Sequence, residues 1–127
     1  MEKLEQLSRT AAKALSTLRE ITQMPFSVII RDSAIQRFEY TFEIVWKLLK
    51  EYLKIQEGVI CNSPKSCFRE AFNTKLLTEE ETIKALEMTD DRNLTSHTYH
   101  EELADAIYLK IPVYYNLMEK LYNSILK

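Results

Sequence analysis

Ile30-Arg-Asp-Ser-Ala-Ile-Gln-Arg-Phe-Glu-Tyr-Thr-Phe-Glu-Ile-Val-Trp-Lys-Leu-Leu-Lys-Glu-Tyr-Leu53 decides the fold. Ile35, Phe38, Phe42, Val45, Leu49 and Tyr52 recur along it at alternating steps of three and four. That period lines one face of an α-helix and no face of a strand. The spacing predicts a helix over about 31–56, with Gly58 as its stop.

The same period runs outward in both directions. Leu4, Leu7, Ala11, Ala14, Leu18 and Ile21 predict a helix over about 2–23, closed by Pro25. Ser63 before Pro64 reads as an N-cap with proline at the first helical position, opening a short helix with Phe68, Ala71 and Phe72 as its apolar residues. Thr78 with Glu81 is a capping box for a fourth helix whose apolar side is Ile83, Leu86 and Leu94. Thr98 with Glu101 is a second candidate box. It would open a last helix carrying Leu103, Ile107, Tyr114, Leu117 and Leu121, kinked at Pro112. Trp46 on the second stripe reads as core, and the tyrosines at 108, 114, 115 and 122 as core and interface.

Composition narrows the function classes. One glycine in 127 residues excludes the glycine-rich phosphate loops of Rossmann and P-loop proteins. The scarcity of Gly and Pro turns argues against sandwiches and barrels. The expected fold is all-α: one domain over 1–127, an antiparallel four-helix up-and-down bundle with an extra short helix. A net charge of −2 confines any nucleic-acid contact to a local patch. Cys61 and Cys67 read as incidental thiols of a reducing compartment. The N-terminus lacks the apolar core of a signal peptide, and no run approaches the roughly 18 apolar residues that span a bilayer, so a cytoplasmic protein without membrane contact is expected.

The chemistry concentrates in Asp90-Asp91-Arg92-Asn93-Leu94-Thr95-Ser96-His97-Thr98-Tyr99-His100, which holds both histidines. At about 100° per residue, Asp90, Asn93 and His97 share a side with Leu86 and Leu94, as a hydrogen-bonded plug or a functional cleft. Arg92 lies about 140° from His97 on a straight helix. The two converge on one phosphate only if the helix breaks, for example ending near Ser96 and restarting at Thr98, where free backbone N–H groups would add an anion site. Arg37, Glu39, Glu43 and Lys47 read as a solvated face, with Glu39 alternatively lining the cleft or a dimer seam. Two histidines and no nearby Cys pair argue against a metal site, and no cofactor is expected.

Arg92, Asn93, His97 and Tyr99 form an Arg-x4-His-x-Tyr pattern that resembles the Arg-x4–6-His motif of the HEPN superfamily of helical nucleases. The helix 30–53 and Ser63-Pro-Lys-Ser-Cys-Phe-Arg-Glu-Ala-Phe72 resemble its nucleotidyltransferase substrate-binding branch, and the likeness covers about residues 30–125. The resemblance implies a homodimer whose protomers share one cleft, paired with an MNT-type minimal nucleotidyltransferase. The helical partner would be an RNase toxin and the nucleotidyltransferase its antitoxin. By position, Arg92 and His97 would be the catalytic pair acting on RNA, supported by Asn93 and Asp90; Glu39, if it lines the cleft, is a further supporting candidate. Tyr99 would be the residue that the partner modifies with AMP. Histidine and arginine suit metal-independent cleavage, one moving protons near neutral pH and the other holding the phosphate. The alternatives are a non-catalytic substrate-binding subunit of a two-component nucleotidyltransferase and an inert interaction module.

Overall fold

The computed structural model describes residues 2–127 and is helical throughout, with five α-helices: α1 Glu2–Thr22, α2 Val28–Tyr52, α3 Pro64–Asn73, α4 Glu79–Leu94 and α5 Glu101–Leu126. The four longer helices make the bundle, and α3 packs against α4 and α2. No helix among the described residues is long and apolar enough to cross a membrane.

Helix α2 is the centre of the molecule and touches each of the other four. It begins three residues before the expected start, because the Ser27 Oγ accepts from Ile30 N and caps it. Its fully buried Phe38 stacks on Tyr114 of α5, and Phe42 meets Phe68 of α3 edge-on, so one aromatic column joins three helices. On the opposite side Ala11 and Ala14 let α1 approach closely. There the buried Thr41 Oγ1 donates to Ala14 O and Arg37 O. The helix then widens into a π turn, Leu53–Glu57, and ends at Gly58 with φ 65°, a left-handed cap that suits glycine.

Three local expectations are corrected. The buried face of α4 is Thr82, Ala85, Met88, Thr89 and Asp91, not the Ile83–Leu94 side; Ile83 is 59% exposed. This face is legible only once its polar atoms are paired. The Thr82 and Thr89 hydroxyls bond carbonyls four residues back, and Asp91 takes a hydrogen bond from Tyr114. Phe72 of α3 is likewise exposed rather than part of the core. Cys61 and Cys67, read as free thiols, are joined in a disulfide that ties the chain before α3 to α3 itself.

The expected N-caps at Ser63 and Thr78 are present, both as reciprocal boxes. The box at Thr98 and Glu101 is not: α5 starts at Glu101 with His100 as an N-cap that makes no side-chain bond. Thr98 Oγ1 donates back to Thr95 O instead. Glu101 turns to the buried Arg31 of α2, whose Nη1 donates to Glu101 Oε2 (2.5 Å) and Asp105 Oδ1 (3.0 Å) while Nε donates to Asp32. Arg31 thereby holds the Glu101 carboxyl below the usual carboxylate range and fixes where α5 begins. The last helix continues unbroken through Pro112.

In the α4 cap, Thr78 N donates to Glu81 Oε1 and Glu81 N donates to Thr78 Oγ1, while Lys120 Nζ from α5 sits 2.7 Å from Glu81. Burial alone would raise the Glu81 pKa, but Lys120 and the Thr78 N–H outweigh it and hold the carboxyl below its ordinary value. A carboxyl depressed on folding stabilises above its unfolded pKa of about 4.3 and loses that contribution as pH falls through its folded value. Gln keeps the reciprocal box but loses the charge toward Lys120 and the helix start. Glu81→Gln is therefore expected to lower the unfolding free energy by up to about 1 kcal/mol at pH 7. The gap should narrow on acidification below the unfolded pKa, as read by urea denaturation at the two pH values.

Candidate active site at the α4–α5 turn

Helix α4 stops at Leu94, a 3-10 turn covers Thr95–His97, and α5 begins at Glu101. The break that the 140° separation demanded is therefore present, though the restart lies three residues beyond Thr98. The first turn of α5 carries Glu101 and Glu102, so acidic side chains already occupy the neighbourhood of its N–H groups.

The turn sorts its residues into two clusters. In the first, Arg92 lies half-buried against α2. Its Nη1 donates to Thr95 Oγ1 (3.0 Å) and, at 3.5 Å, to Glu39 Oε2, while Thr95 Oγ1 lies 2.7 Å from that same oxygen. Its Nε is buried and 3.5 Å from Glu43 Oε1, close enough for an ion pair but not aligned for a hydrogen bond. Nη2 has no hydrogen-bond partner among the described residues. The guanidinium thus meets two carboxylates and a threonine, through Nε and Nη1. In the second cluster His97, Tyr99 and His100 are all exposed. His97 Nδ1 lies 3.3 Å from Tyr99 Oη, and the Tyr99 and His100 rings are 4.4 Å apart. No hydrogen bond joins the two clusters among the described residues; the 3-10 turn connects them covalently through the buried Thr95.

The supporting residues divide. Glu39, read alternatively as lining the cleft or a dimer seam, stands at Arg92. Glu43 does too, so the expected solvated face of Arg37, Glu39, Glu43 and Lys47 is not one: Arg37 reaches α1, donating to Thr17 O and Glu20, and both glutamates face Arg92. Asp90 and Asn93 are exposed and do not form a plug with His97. Asp90 pairs with Lys65 of α3 at 2.6 Å, because α3 covers that flank of α4. The buried acid is Asp91, which receives Tyr114 Oη and lies 3.3 Å from Lys110 Nζ. Burial, then Asp91, pushes the Tyr114 phenol pKa up, so it stays a proton donor. Thr95, Glu43 and Asp91 were missed from sequence. Thr95 lies three residues past Arg92, within reach on a helical turn, and that spacing is the signal that would have found it.

This architecture is shared. The family model described as nucleotidyltransferase substrate binding protein like matches residues 3–127. The chain belongs to that family. A Thermus thermophilus protein of solved crystal structure is 48% identical, superposes with a TM-score of 0.90, and is matched over 92% of this chain and 99% of its own. A Haemophilus influenzae protein, described as revealing the fold of a substrate-binding domain of a nucleotidyltransferase, shares the fold at a TM-score of 0.68 and 23% identity, over 99% of this chain and 98% of its own. A protein described as a probable ribonuclease HepT, also of Haemophilus influenzae, is 35% identical over 83 residues, 61% of this chain and 55% of that relative, so the match spans about half the relative's length. Family membership agrees with the branch that the 30–53 helix and the Ser63–Phe72 segment resembled.

Thr95 holds this site together, since it accepts from Arg92 while bonded to Glu39. Thr95→Val keeps the shape and removes both bonds, and is expected to cost roughly 1–3 kcal/mol in urea denaturation. A variant as stable as the parent would show that the Arg92–Glu39 pair stands without it.

Proposed function

We propose that this protein is the HEPN toxin of a HEPN–MNT toxin–antitoxin pair, a metal-independent endoribonuclease silenced by AMP transfer to Tyr99. The observation that carries the reading is the exposed His97–Tyr99 pair, Nδ1 to Oη 3.3 Å, on a turn whose preceding residues anchor Arg92. Likeness to a probable ribonuclease HepT supports it.

In this mechanism His97 takes the proton of a ribose 2′-hydroxyl as its oxygen attacks the adjacent phosphorus. A 2′,3′-cyclic phosphate forms, the bond to the 5′-oxygen breaks, and the proton passes to that leaving oxygen. Arg92, through Nη2, which has no hydrogen-bond partner among the described residues, holds a non-bridging phosphate oxygen as charge develops. Glu39 and Glu43 orient the guanidinium. The two clusters are completed by a second protomer in a homodimer. Self-association is supported by an apolar surface in which Ile29 and Leu109 are 80% and 75% exposed and Phe26 packs on Tyr108. The partner nucleotidyltransferase would join the α-phosphorus of ATP to Tyr99 Oη with release of pyrophosphate. The adduct then sits on the His97 ring nitrogen that Tyr99 Oη faces.

One observation favours the second reading, a non-catalytic substrate-binding subunit of a two-component nucleotidyltransferase. Two carboxylates beside Arg92 offset the charge that a phosphate would meet.

The test is RNA cleavage in EDTA by protein freed of its partner, with intact mass taken on the same sample. His97→Ala and Arg92→Ala are each expected to cut the rate by 10²-fold or more. The exposed His97 is lost with the thermal melt unchanged, whereas Arg92→Ala also lowers the melt because it leaves Glu39 and Glu43 without their cation. A mass higher by one AMP should be absent in Tyr99→Phe, which remains active. Unmodified protein that leaves RNA intact yet co-purifies with a nucleotidyltransferase establishes the second reading.

A further inference from the structure

Past Glu43, α2 borders a cleft of about 370 Å³, closed by the start of α1 and by residues 59–61, where the Cys61–Cys67 disulfide holds the wall. Lys47, Lys50 and Lys54 recur there at steps of three and four, on one side of α2 and its π turn. None of the three has an acidic partner within 4.0 Å among the described residues. Lys3 adds a fourth cation from α1, 3.7 Å from Glu51, the one acid lining the cleft. Gathering unpaired like charges on one helix face is unfavourable, and in a chain of net charge −2 it is a local exception.

The cleft also holds the single tryptophan. Trp46, expected in the core, packs on it only in part and lines this opening. Its Nε1 donates to Glu43 Oε2 (3.2 Å), which fixes the ring, and Lys50 Nζ lies 5.9 Å from the ring centroid. With the indole N–H engaged, what remains to offer a ligand is the aromatic face, which the flexible Lys50 side chain overlies and must leave for a base to stack. A flat ring beside unneutralised ammonium groups matches a heteroaromatic base joined to phosphate, with the base stacked and the anion paired.

We propose that this cleft is a nucleotide-binding site, taking phosphate on Lys47, Lys50 and Lys54 and a base on Trp46. Glu43 links it to the site described above, since one oxygen accepts from Trp46 and the other faces Arg92. Where that site acts as a nuclease, the cleft receives a nucleotide of the same strand; this last step alone rests on the nuclease reading.

Trp46 is its own reporter. Its fluorescence is titrated with ATP and, separately, with a short 2′-O-methyl oligoadenylate that cannot be cleaved. A saturable change with ATP alone assigns a free nucleotide, and one with the oligonucleotide assigns a strand; either supports the site. Lys47→Gln combined with Lys54→Gln should weaken binding by roughly tenfold or more. For the strand it should also flatten the log–log salt slope by about 1.4, at about 0.7 per lost phosphate contact. Trp46→Leu, followed by anisotropy of a labelled oligonucleotide or by calorimetry with ATP, should weaken binding by a similar factor. No saturable change with either ligand overturns the proposal. So does unaltered affinity in the double glutamine variant with an unchanged thermal melt. His97→Ala separates the two readings, because it is expected to abolish cleavage and leave this titration intact.

Discussion

A helix touched by four others must bury charges that it could have left in water, and α2 is such a helix. Arg31, Glu39, Glu43 and Glu51 all lie along it, each wholly or partly removed from solvent. A buried charge without a partner costs far more than a surface pair contributes, so each of these groups dictates what a neighbouring helix must bring. Arg31 brings the first turn of α5, Glu39 and Glu43 bring Arg92 from α4, and Glu51 brings Lys3 from α1. The bundle is registered along α2 by these pairs while the aromatic column links α2, α3 and α5 within the apolar core.

The same pairs place the candidate chemistry. With Arg92 drawn toward α2 and the start of α5 drawn toward Arg31, the residues between must turn within a short span, and the 3-10 turn carries His97 outward. The exposed imidazole and phenol of that turn are products of constraint on either side rather than of any interaction of their own with the core. Farther along α2, Glu43 bonds Trp46 and so relates the arginine to the lysine-lined cleft. Two polar regions are coupled through one carboxylate.

The helices were legible in the sequence because their cues are local. Stripes at steps of three and four, proline after Ser63, and reciprocal Thr78–Glu81 bonding need no knowledge of neighbours. What was lost depended on neighbours. Thr98 and Glu101 have the spacing of a capping box, but Arg31, distant in sequence, competes for Glu101 and wins with a charged bond. The face of α4 misled because threonines satisfy their own hydroxyls on the helix backbone and so can be buried, whereas Ile83 can be left in water at modest cost. The disulfide depends on how the chain bends after Gly58, which two cysteines six residues apart do not reveal. Of the candidate site, the break between Arg92 and His97 and the position of Glu39 were anticipated. Asp90 and Asn93 point elsewhere, and the family likeness carried the pairing of His97 with Tyr99 further than spacing did.

The stacking of Phe38 on Tyr114 has a consequence for how the molecule assembles. Pairings between helices adjacent in sequence form early because little chain must be closed to make them, whereas the α2–α5 contact spans most of the sequence. Until α5 docks, Phe38 presents an unpaired greasy face, and the two α5 carboxylates that seat Arg31, Glu101 and Asp105, are absent as well. The charged latch and the aromatic stack are therefore gained together. A chain whose last helix is detached is expected to be adhesive toward other apolar surfaces rather than merely looser.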